Sequence, residues 1–217
     1  MSSEGVALEA IDGIQRHLEA IYCIELSERA RDFLIDDHGL QSLVRAGSVA
    51  AELRDSQEQL LVQPHAEGLS VALYLSDSVR VELACSPSLQ SHCHATEGVS
   101  HFLMLLWAAR EERSVRLLDL ELQAEVDKAS TCLLLDRCHT GGLGAKRLLG
   151  RLFDQPRFID HLSEPERERY RHAHRLAARY SRYLFRCLDD SVETLLAELR
   201  SFYRLSMEDK RCRARAA

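Results

Sequence analysis

The sequence predicts a mainly α-helical protein, a multi-helix bundle with one small β-hairpin (about residues 59–76) packed on it. Apolar residues recur at three- or four-residue steps in most segments, which is the helical period. Only 10 of the 217 residues are glycine and 4 are proline, so few residues interrupt these helices. Between 59 and 76, two short apolar runs flank a proline and a glycine, which is typical of a hairpin.

The first part of the chain, residues 1–94, is expected to hold acidic helices and the hairpin. Residues 6–35 predict one or two amphipathic helices from the spacing of their apolar residues: Leu8, Ile11, Ile14, Leu18, Ile21 and Ile24. A short helix is predicted around 41–54. The runs LLVQ and LSVALYL flank Pro64 and Gly68 in the hairpin. Because an isolated hairpin is only marginally stable, it should lie on the helices.

The second part, residues 95–204, is expected to form the core of the bundle. Helices are predicted at 95–112, 114–136, 145–153, 163–189 and 191–204. Thr96, Ser114 and Ser163 are candidate N-caps, and Glu166 completes a capping box with Ser163. The glycines of HTGGLG are expected to separate two helices rather than to hold a phosphate, because no nucleotide-binding glycine motif is matched.

Length and composition indicate one domain. The chain is 46% hydrophobic, which is enough for one full core, so we expect a single domain over 1–217 with a flexible tail at 205–217. Charges are unevenly distributed: residues 1–110 hold 7 Lys/Arg against 16 Asp/Glu, and 111–217 hold 21 against 18. Nonspecific binding of nucleic acid by the whole molecule is therefore not expected, although a local anion site is compatible with this distribution.

Cysteine usage and hydropathy predict a cytoplasmic protein. The seven cysteines are odd in number and contain no CxxC pair, so neither a disulfide framework nor a thiolate zinc ribbon is indicated. The longest apolar run, FLMLLWAA (102–109), is far shorter than the roughly 20 residues that span a bilayer. The N-terminal residues lack the basic and apolar regions of a signal peptide. No membrane partner is expected.

The predicted helix 114–136 carries two carboxylates among apolar residues. At about 100° per residue, one arc collects the following side chains: Val115, Leu118, Leu122, Val126, Ala129 and Leu133. Glu125 lies beside Leu118 at the edge of this arc, and Glu121 lies between the arc and further apolar residues. Both should therefore point into the core. The opposite face is expected to be exposed: Asp119, Gln123, Asp127 and Ser130.

A buried carboxylate needs a partner, and the preceding helix supplies candidates. Glu97 and His101 lie four residues apart on one stripe of that helix. Two antiparallel helices joined by a tight turn at 112–114 would bring this stripe near Glu121 and Glu125. Helical bundles build metal sites from such groups. We therefore predict a site for Fe, Mn or Zn at Glu97, His101, Glu121 and Glu125, with His94 and His174 as further candidate ligands.

Other interpretations of this centre stay open. No Glu-x-x-His motif occurs, which departs from the pattern of carboxylate di-iron proteins. A buried Glu–His or Glu–Arg network could hold two helices in register without a metal. The cluster His92, Cys93 and His94 is more typical of a polar loop than of a metal site. No catalytic signature names a substrate; metal-assisted or oxidative chemistry is the class that an enzyme with this centre would use.

One face of the predicted helix 163–189 carries an arginine stripe, whose members are Arg167, Arg171, Arg175, Arg179, Arg182 and Arg186. Guanidinium groups suit carboxylate or phosphate clusters. The alternative function is therefore a non-enzymatic interaction protein that binds an acidic partner, a phosphate-bearing ligand or nucleic acid through this stripe. A solvated helix face is the simpler interpretation. A homo-oligomer is compatible with the sequence.

If the arginine stripe binds an anionic partner, reversing two of its charges should abolish that binding. We expect Arg171→Glu combined with Arg175→Glu to remove a salt-sensitive association while the helical circular dichroism of the protein stays unchanged. Binding measured over a range of salt concentrations checks this. Association that is indifferent both to salt and to the double substitution would remove the hypothesis.

Overall fold

The computed structural model of the protein describes residues 2–66, 68–154 and 163–217. Over these residues the chain is mainly α-helical, with a small three-stranded sheet packed against helices. The predicted fold class is confirmed. None of the described helices is both long and apolar enough to cross a membrane.

The chain divides into two compact units. The first comprises Met1–Arg16 and Leu26–Glu111, and the second comprises His17–Glu25 and Glu112–Ala217. Helix α1 (Ser3–Tyr22) contributes its N-terminal part to the first unit and its C-terminal part to the second. The organisation of the chain as a single domain stays a prediction.

The first unit contains the sheet. After α1, its elements in chain order are a 3-10 helix (Ala30–Phe33), β1 (Leu34–Ile35), α2 (Asp37–Arg45), a second 3-10 helix (Ala51–Asp55), β2 (Glu58–His65), β3 (Gly68–Leu75), α3 (Asp77–Cys85) and α4 (Leu89–Arg110). Strands β2 and β3 are antiparallel, with Glu58 opposite Leu75 and His65 opposite Gly68, which confirms the predicted hairpin. The two-residue strand β1 pairs in parallel with β3, so the strand order is β1-β3-β2.

Helix α4 packs closely on the sheet because it presents a glycine there. A Cβ atom at Gly98 would lie 2.9 Å from Cδ1 of Leu73 and 3.3 Å from Oε2 of Glu58. Leu73 and Leu75 are fully buried beneath the helix. The missing side chain lets the helix backbone approach the strands, and this approach positions the residues on either side of Gly98.

The second unit is helical throughout its described residues. Its elements are the C-terminal part of α1, α5 (Leu117–Thr140), α6 (Ala145–Phe153), α7 (Glu164–Asp190), α8 (Val192–Arg204) and α9 (Met207–Ala216). Helix α7 packs on α5, α6, α8 and α9. Over 205–217, where the sequence predicts a flexible tail, the structure has α9, with Lys210 and Ala214 buried.

Several predicted helix boundaries are wrong, each because another residue caps the helix. Helix α4 begins at Leu89, since Ser88 forms a capping box with Ser91, and Thr96 is buried inside the helix. The polar loop predicted for His92, Cys93 and His94 is therefore part of α4 as well. Ser114 does not cap α5, which begins at Leu117 after Arg116; the Asp119 carboxylate accepts a hydrogen bond from Arg116 N at 2.8 Å.

The helix predicted around 41–54 is also wrong. The structure ends α2 at Arg45, and Gly47 follows with a φ of +71°, a conformation that stops the helix; the chain continues into the second 3-10 helix. The predicted cap at Ser163 is confirmed, because the Glu166 carboxylate accepts a hydrogen bond from Ser163 N at 2.9 Å.

The face of α5 that was expected to be exposed is buried. It consists of Asp119, Gln123, Asp127 and Ser130, each at most 7% exposed. The end of α1 and helix α9 cover it, since Tyr22 and Lys210 both reach Gln123. The prediction assumed that one face of the helix is apolar and buried and the other polar and exposed. That assumption fails for α5, because other elements cover both of its faces.

The close approach at Gly98 predicts that a larger residue there is not tolerated. We expect Gly98→Val to lower the free energy of unfolding by about 1–3 kcal/mol, because the buried Leu73 has little room to move. Gly13 in α1 is the matched control, since nothing lies within 4 Å of its Cβ position. Gly13→Val should change stability by less than about 0.5 kcal/mol in urea unfolding. Equal effects of the two substitutions would contradict the packing described here.

Candidate metal centre

Helix α4 brings Glu97 and His101 together within the first unit. Their spacing of four residues places them one turn apart, on either side of the closely packed Gly98 turn. A carboxylate oxygen of Glu97 and a ring nitrogen of His101 lie within 4.8 Å of each other. His101 is 6% exposed and Glu97 is half-buried. Two ligand atoms of one tetrahedral ion lie roughly 3–4 Å apart, a separation that small rotations of these side chains can reach.

A third polar group, Glu58, joins this pair from the first residue of β2. Its Oε2 atom lies 3.8 Å from Nδ1 of His101, and both side chains are largely buried. A carboxylate that faces Nδ1 favours the proton on that nitrogen, which leaves Nε2 as the atom for a metal. Nε2 of His101 is itself a buried atom. The buried acidic and histidine group of the first unit, Glu58, Glu97 and His101, has the donor types that Fe, Mn and Zn accept.

The sequence reasoning missed Glu58. No other candidate ligand lies near Glu58 at a spacing typical of a metal site. Glu58 comes close to His101 only because β2 packs on α4. The one available signal was its place just before the predicted hairpin (59–76), where a charged residue is common.

The other two predicted ligands lie on α5 in the second unit. Glu121 is 6% exposed, and the side chain of Glu125 is 19% exposed, so both carboxylates turn inward as predicted. Glu125 has two basic partners within the second unit. Lys128 Nζ lies 3.2 Å from its Oε1, and His174 Nδ1 lies 3.4 Å from its Oε2. Burial alone would raise the pKa of Glu125, but Lys128 and His174 outweigh it and lower the pKa to about 2.

His174 uses both ring nitrogens within the second unit. Its Nε2 lies 3.1 Å from the carbonyl oxygen of Phe153, which can only accept, and its Nδ1 faces the Glu125 carboxylate. Burial acts to lower the pKa of His174, but Glu125 and the Phe153 carbonyl raise it above its ordinary value of 6.5. An imidazole that donates from both nitrogens has no lone pair for a metal. Glu125, Lys128 and His174 therefore form a structural ion cluster.

The remaining candidate residues are His94 on α4 and the arginine stripe on α7. His94 is in the first turns of α4, where its Nε2 lies 3.0 Å from the side-chain nitrogen of Gln90. In the arginine stripe of α7, five members are exposed and Arg167 is half-buried. Two of the exposed arginines make surface ion pairs, Arg171 with Glu164 at 3.3 Å and Arg182 with Asp154 at 3.6 Å. Such pairs contribute only about 0–1 kcal/mol each.

A second buried polar network in the second unit was not predicted from the sequence. The Tyr22 hydroxyl donates to Asp127, and Gln123 Nε2 donates to the same carboxylate at 2.8 Å. Lys210 Nζ donates to Gln123 Oε1 at 2.8 Å and lies over the ring of Phe202. Burial lowers the pKa of Lys210 to about 8. This network joins α1, α5 and α9, and its side chains are buried and bond to one another, so its role is structural.

No known protein family, curated protein or solved structure matches this chain. The functional argument therefore depends on the geometry of the residues described above.

The ion pair of Glu125 and His174 predicts how stability depends on pH. Because the pKa of Glu125 is lowered, its contribution is present above the ordinary value of 4.5 and is lost as the pH falls toward about 2. Because the pKa of His174 is raised, its contribution is present below 6.5 and is lost as the pH rises through the folded-state value. The pair should therefore stabilise the fold most between those two ordinary values.

Urea unfolding of wild type and His174→Gln from about pH 4 to about pH 9 tests the assignment. The stability difference between the two proteins should be greatest between pH 4.5 and pH 6.5 and should shrink as the pH rises further. His139→Gln, which changes an exposed histidine at the end of α5, should leave the pH profile of the wild type unaltered. A His174→Gln profile parallel to that of the wild type would show that this imidazole is not a charged partner of Glu125.

Proposed function

We propose that this protein binds a divalent metal ion, Fe, Mn or Zn, through Glu97 and His101. The observation that carries the proposal is the placement of these two side chains, whose ligand atoms lie within 4.8 Å on consecutive turns of α4. A carboxylate and an imidazole four residues apart on one helix face present both donors to one point in space. Mixed oxygen and imidazole ligands suit these three ions.

Glu58 supports the proposal as the group that orients His101. Ligand histidines commonly donate the other ring N–H to a carboxylate, which fixes the ring and makes the ligand nitrogen more basic. The contact of 3.8 Å between Glu58 Oε2 and His101 Nδ1 is long for a hydrogen bond and short enough for a charge interaction. We expect it to shorten when an ion draws electron density from the ring.

Glu121, buried on α5 of the second unit, stays a candidate from the sequence alone, and the proposal does not depend on it. Glu125 is left out of the proposed ligand set, because Lys128 and His174 already neutralise it. A centre built on Glu97 and His101 would leave coordination positions open for water or substrate. Metal-assisted or oxidative chemistry is the reaction class that such a centre supports.

Binding of an acidic partner through the arginine stripe is a second candidate function. Its specific support is the exposure of five guanidinium groups along one face of α7. It requires no metal, so metal analysis separates it from the first proposal.

Metal content measured after reconstitution with Fe, Mn and Zn tests the proposal. We expect about one ion per chain in the wild type, and a lower unfolding temperature when a chelator removes it, because metal held only by the folded state stabilises that state. Glu97→Gln and His101→Gln should lose the ion. Glu58→Gln should weaken binding by about 10- to 100-fold, as expected for a group that orients a ligand.

Two matched substitutions control for nonspecific effects. Glu125→Gln also removes a half-buried carboxylate but should retain the metal, since this side chain is neutralised by Lys128 and His174. His38→Gln removes an exposed imidazole of the first unit and should change nothing. Less than about a tenth of an ion per folded wild-type chain would rule out the metal centre, and the group would then be a structural polar network.

A further inference from the structure

The first unit contains a cavity that is not lined by any of the proposed metal ligands. Its volume is about 300 Å³, which is enough for a small metabolite. Six residues line it: Asp37, Leu40, Gln41, Arg45, Arg54 and Tyr74. The charged members, two arginines and one aspartate, give the lining a net charge of +1.

The cavity follows one face of α2. Asp37, Gln41 and Arg45 are spaced four residues apart, so they form a stripe along the helix. The carboxylate stands in the first turn and the guanidinium in the last, separated by about 12 Å along the axis. Arg54, from the second 3-10 helix, adds a second guanidinium to the lining. The stripe therefore presents an acidic end and a basic end to one ligand.

The acidic end is held in place by hydrogen bonds. Tyr74, a buried residue of β3, donates its hydroxyl to Oδ1 of Asp37 at 2.9 Å, and Asp77 N donates to the same oxygen at 3.2 Å. Burial, together with Asp37, raises the pKa of Tyr74, so the hydroxyl stays protonated and remains a donor. Both bonds use Oδ1, and Oδ2 remains to accept a donor from a ligand.

The basic end suits an oxyanion. Arg45 makes one long contact, 3.4 Å from Nη2 to Oε1 of Gln41, and both Arg45 and Arg54 are exposed enough to move onto a ligand. Two guanidinium groups provide several donors for the oxygens of one phosphate. Buried Leu40 and the ring of Tyr74 supply an apolar floor between the two ends.

We propose that this cavity binds a small phosphomonoester that carries an amino group, with the phosphate at Arg45 and Arg54 and the ammonium at Asp37. A phosphate with a charge of about −2 and one ammonium give a ligand a net charge of about −1, which complements the lining. Because arginine side chains are long, the guanidinium groups can lie closer to Asp37 than the separation of the residues along the helix axis, so a small ligand can reach both ends. This binding requires no metal and is independent of the proposed centre.

Calorimetric titration of the 217-residue protein with O-phosphoethanolamine, inorganic phosphate and β-alanine tests the inference. O-phosphoethanolamine should bind about tenfold or more tightly than inorganic phosphate, because its ammonium, which phosphate lacks, adds a charge-assisted hydrogen bond to Asp37. β-Alanine should bind more weakly than O-phosphoethanolamine, since a carboxylate carries less negative charge. Tighter binding of β-alanine would overturn the assignment of a phosphate.

Substitutions at both ends locate the binding. Arg45→Gln and Arg54→Gln should each weaken O-phosphoethanolamine by about tenfold. In Asp37→Asn, O-phosphoethanolamine should bind no more tightly than inorganic phosphate. Arg16→Gln, which neutralises an exposed arginine of the first unit outside the cavity, should leave every affinity unchanged.

Two results would overturn the proposal. One is the absence of saturable binding of O-phosphoethanolamine up to about 10 mM at low salt. The other is an equal loss of affinity in Arg16→Gln and Arg45→Gln, which would show a general charge effect. Because both arginines of the cavity are exposed, their variants should fold and keep the test decisive.

Discussion

The structure of the second unit depends on one constraint: each charged side chain that its helices bury has to meet a partner. An ion left buried and unpaired costs about 3–5 kcal/mol, a large share of the stability of a typical domain. Glu125 meets this constraint through Lys128 and His174. The carboxylate of Asp127 meets it through hydrogen bonds, one of them from the Tyr22 hydroxyl. The C-terminal part of α1 and helix α9 contribute to these buried contacts through Tyr22 and Lys210.

Features that depend on residues close in sequence could be predicted, whereas contacts between residues far apart in sequence could not. The capping box of Ser163 and Glu166 lies within four residues, and the hairpin follows from adjacent apolar runs, so both could be predicted. Lys210 reaches Gln123 across 87 positions, and no local pattern indicates that a basic C-terminal segment is buried. Glu58 was missed for the same reason, since only the packing of β2 on α4 brings it to the candidate site.

His101 and His174 are both buried, and they differ in what their ring nitrogens can do. His174 lies between a carboxylate and a carbonyl, which both accept, so its surroundings favour the protonated ring that donates from both nitrogens. His101 has a carboxylate at Nδ1 and a second carboxylate, that of Glu97, within 4.8 Å. An arrangement of the second kind is electrostatically favourable for a divalent cation, which would neutralise both acids. The two histidines were candidates for one site, and their partners give them different roles.

Imidazole nitrogen NMR, with and without zinc, tests this difference most directly, because it reports each ring nitrogen separately. On addition of Zn²⁺, Nε2 of His101 should take the chemical shift of a metal-bound imidazole while Nδ1 stays protonated. The signals of His174, measured below its ordinary pKa of 6.5, should show both nitrogens protonated and should not respond to the ion. His101 signals that are unchanged at saturating zinc would contradict the metal centre.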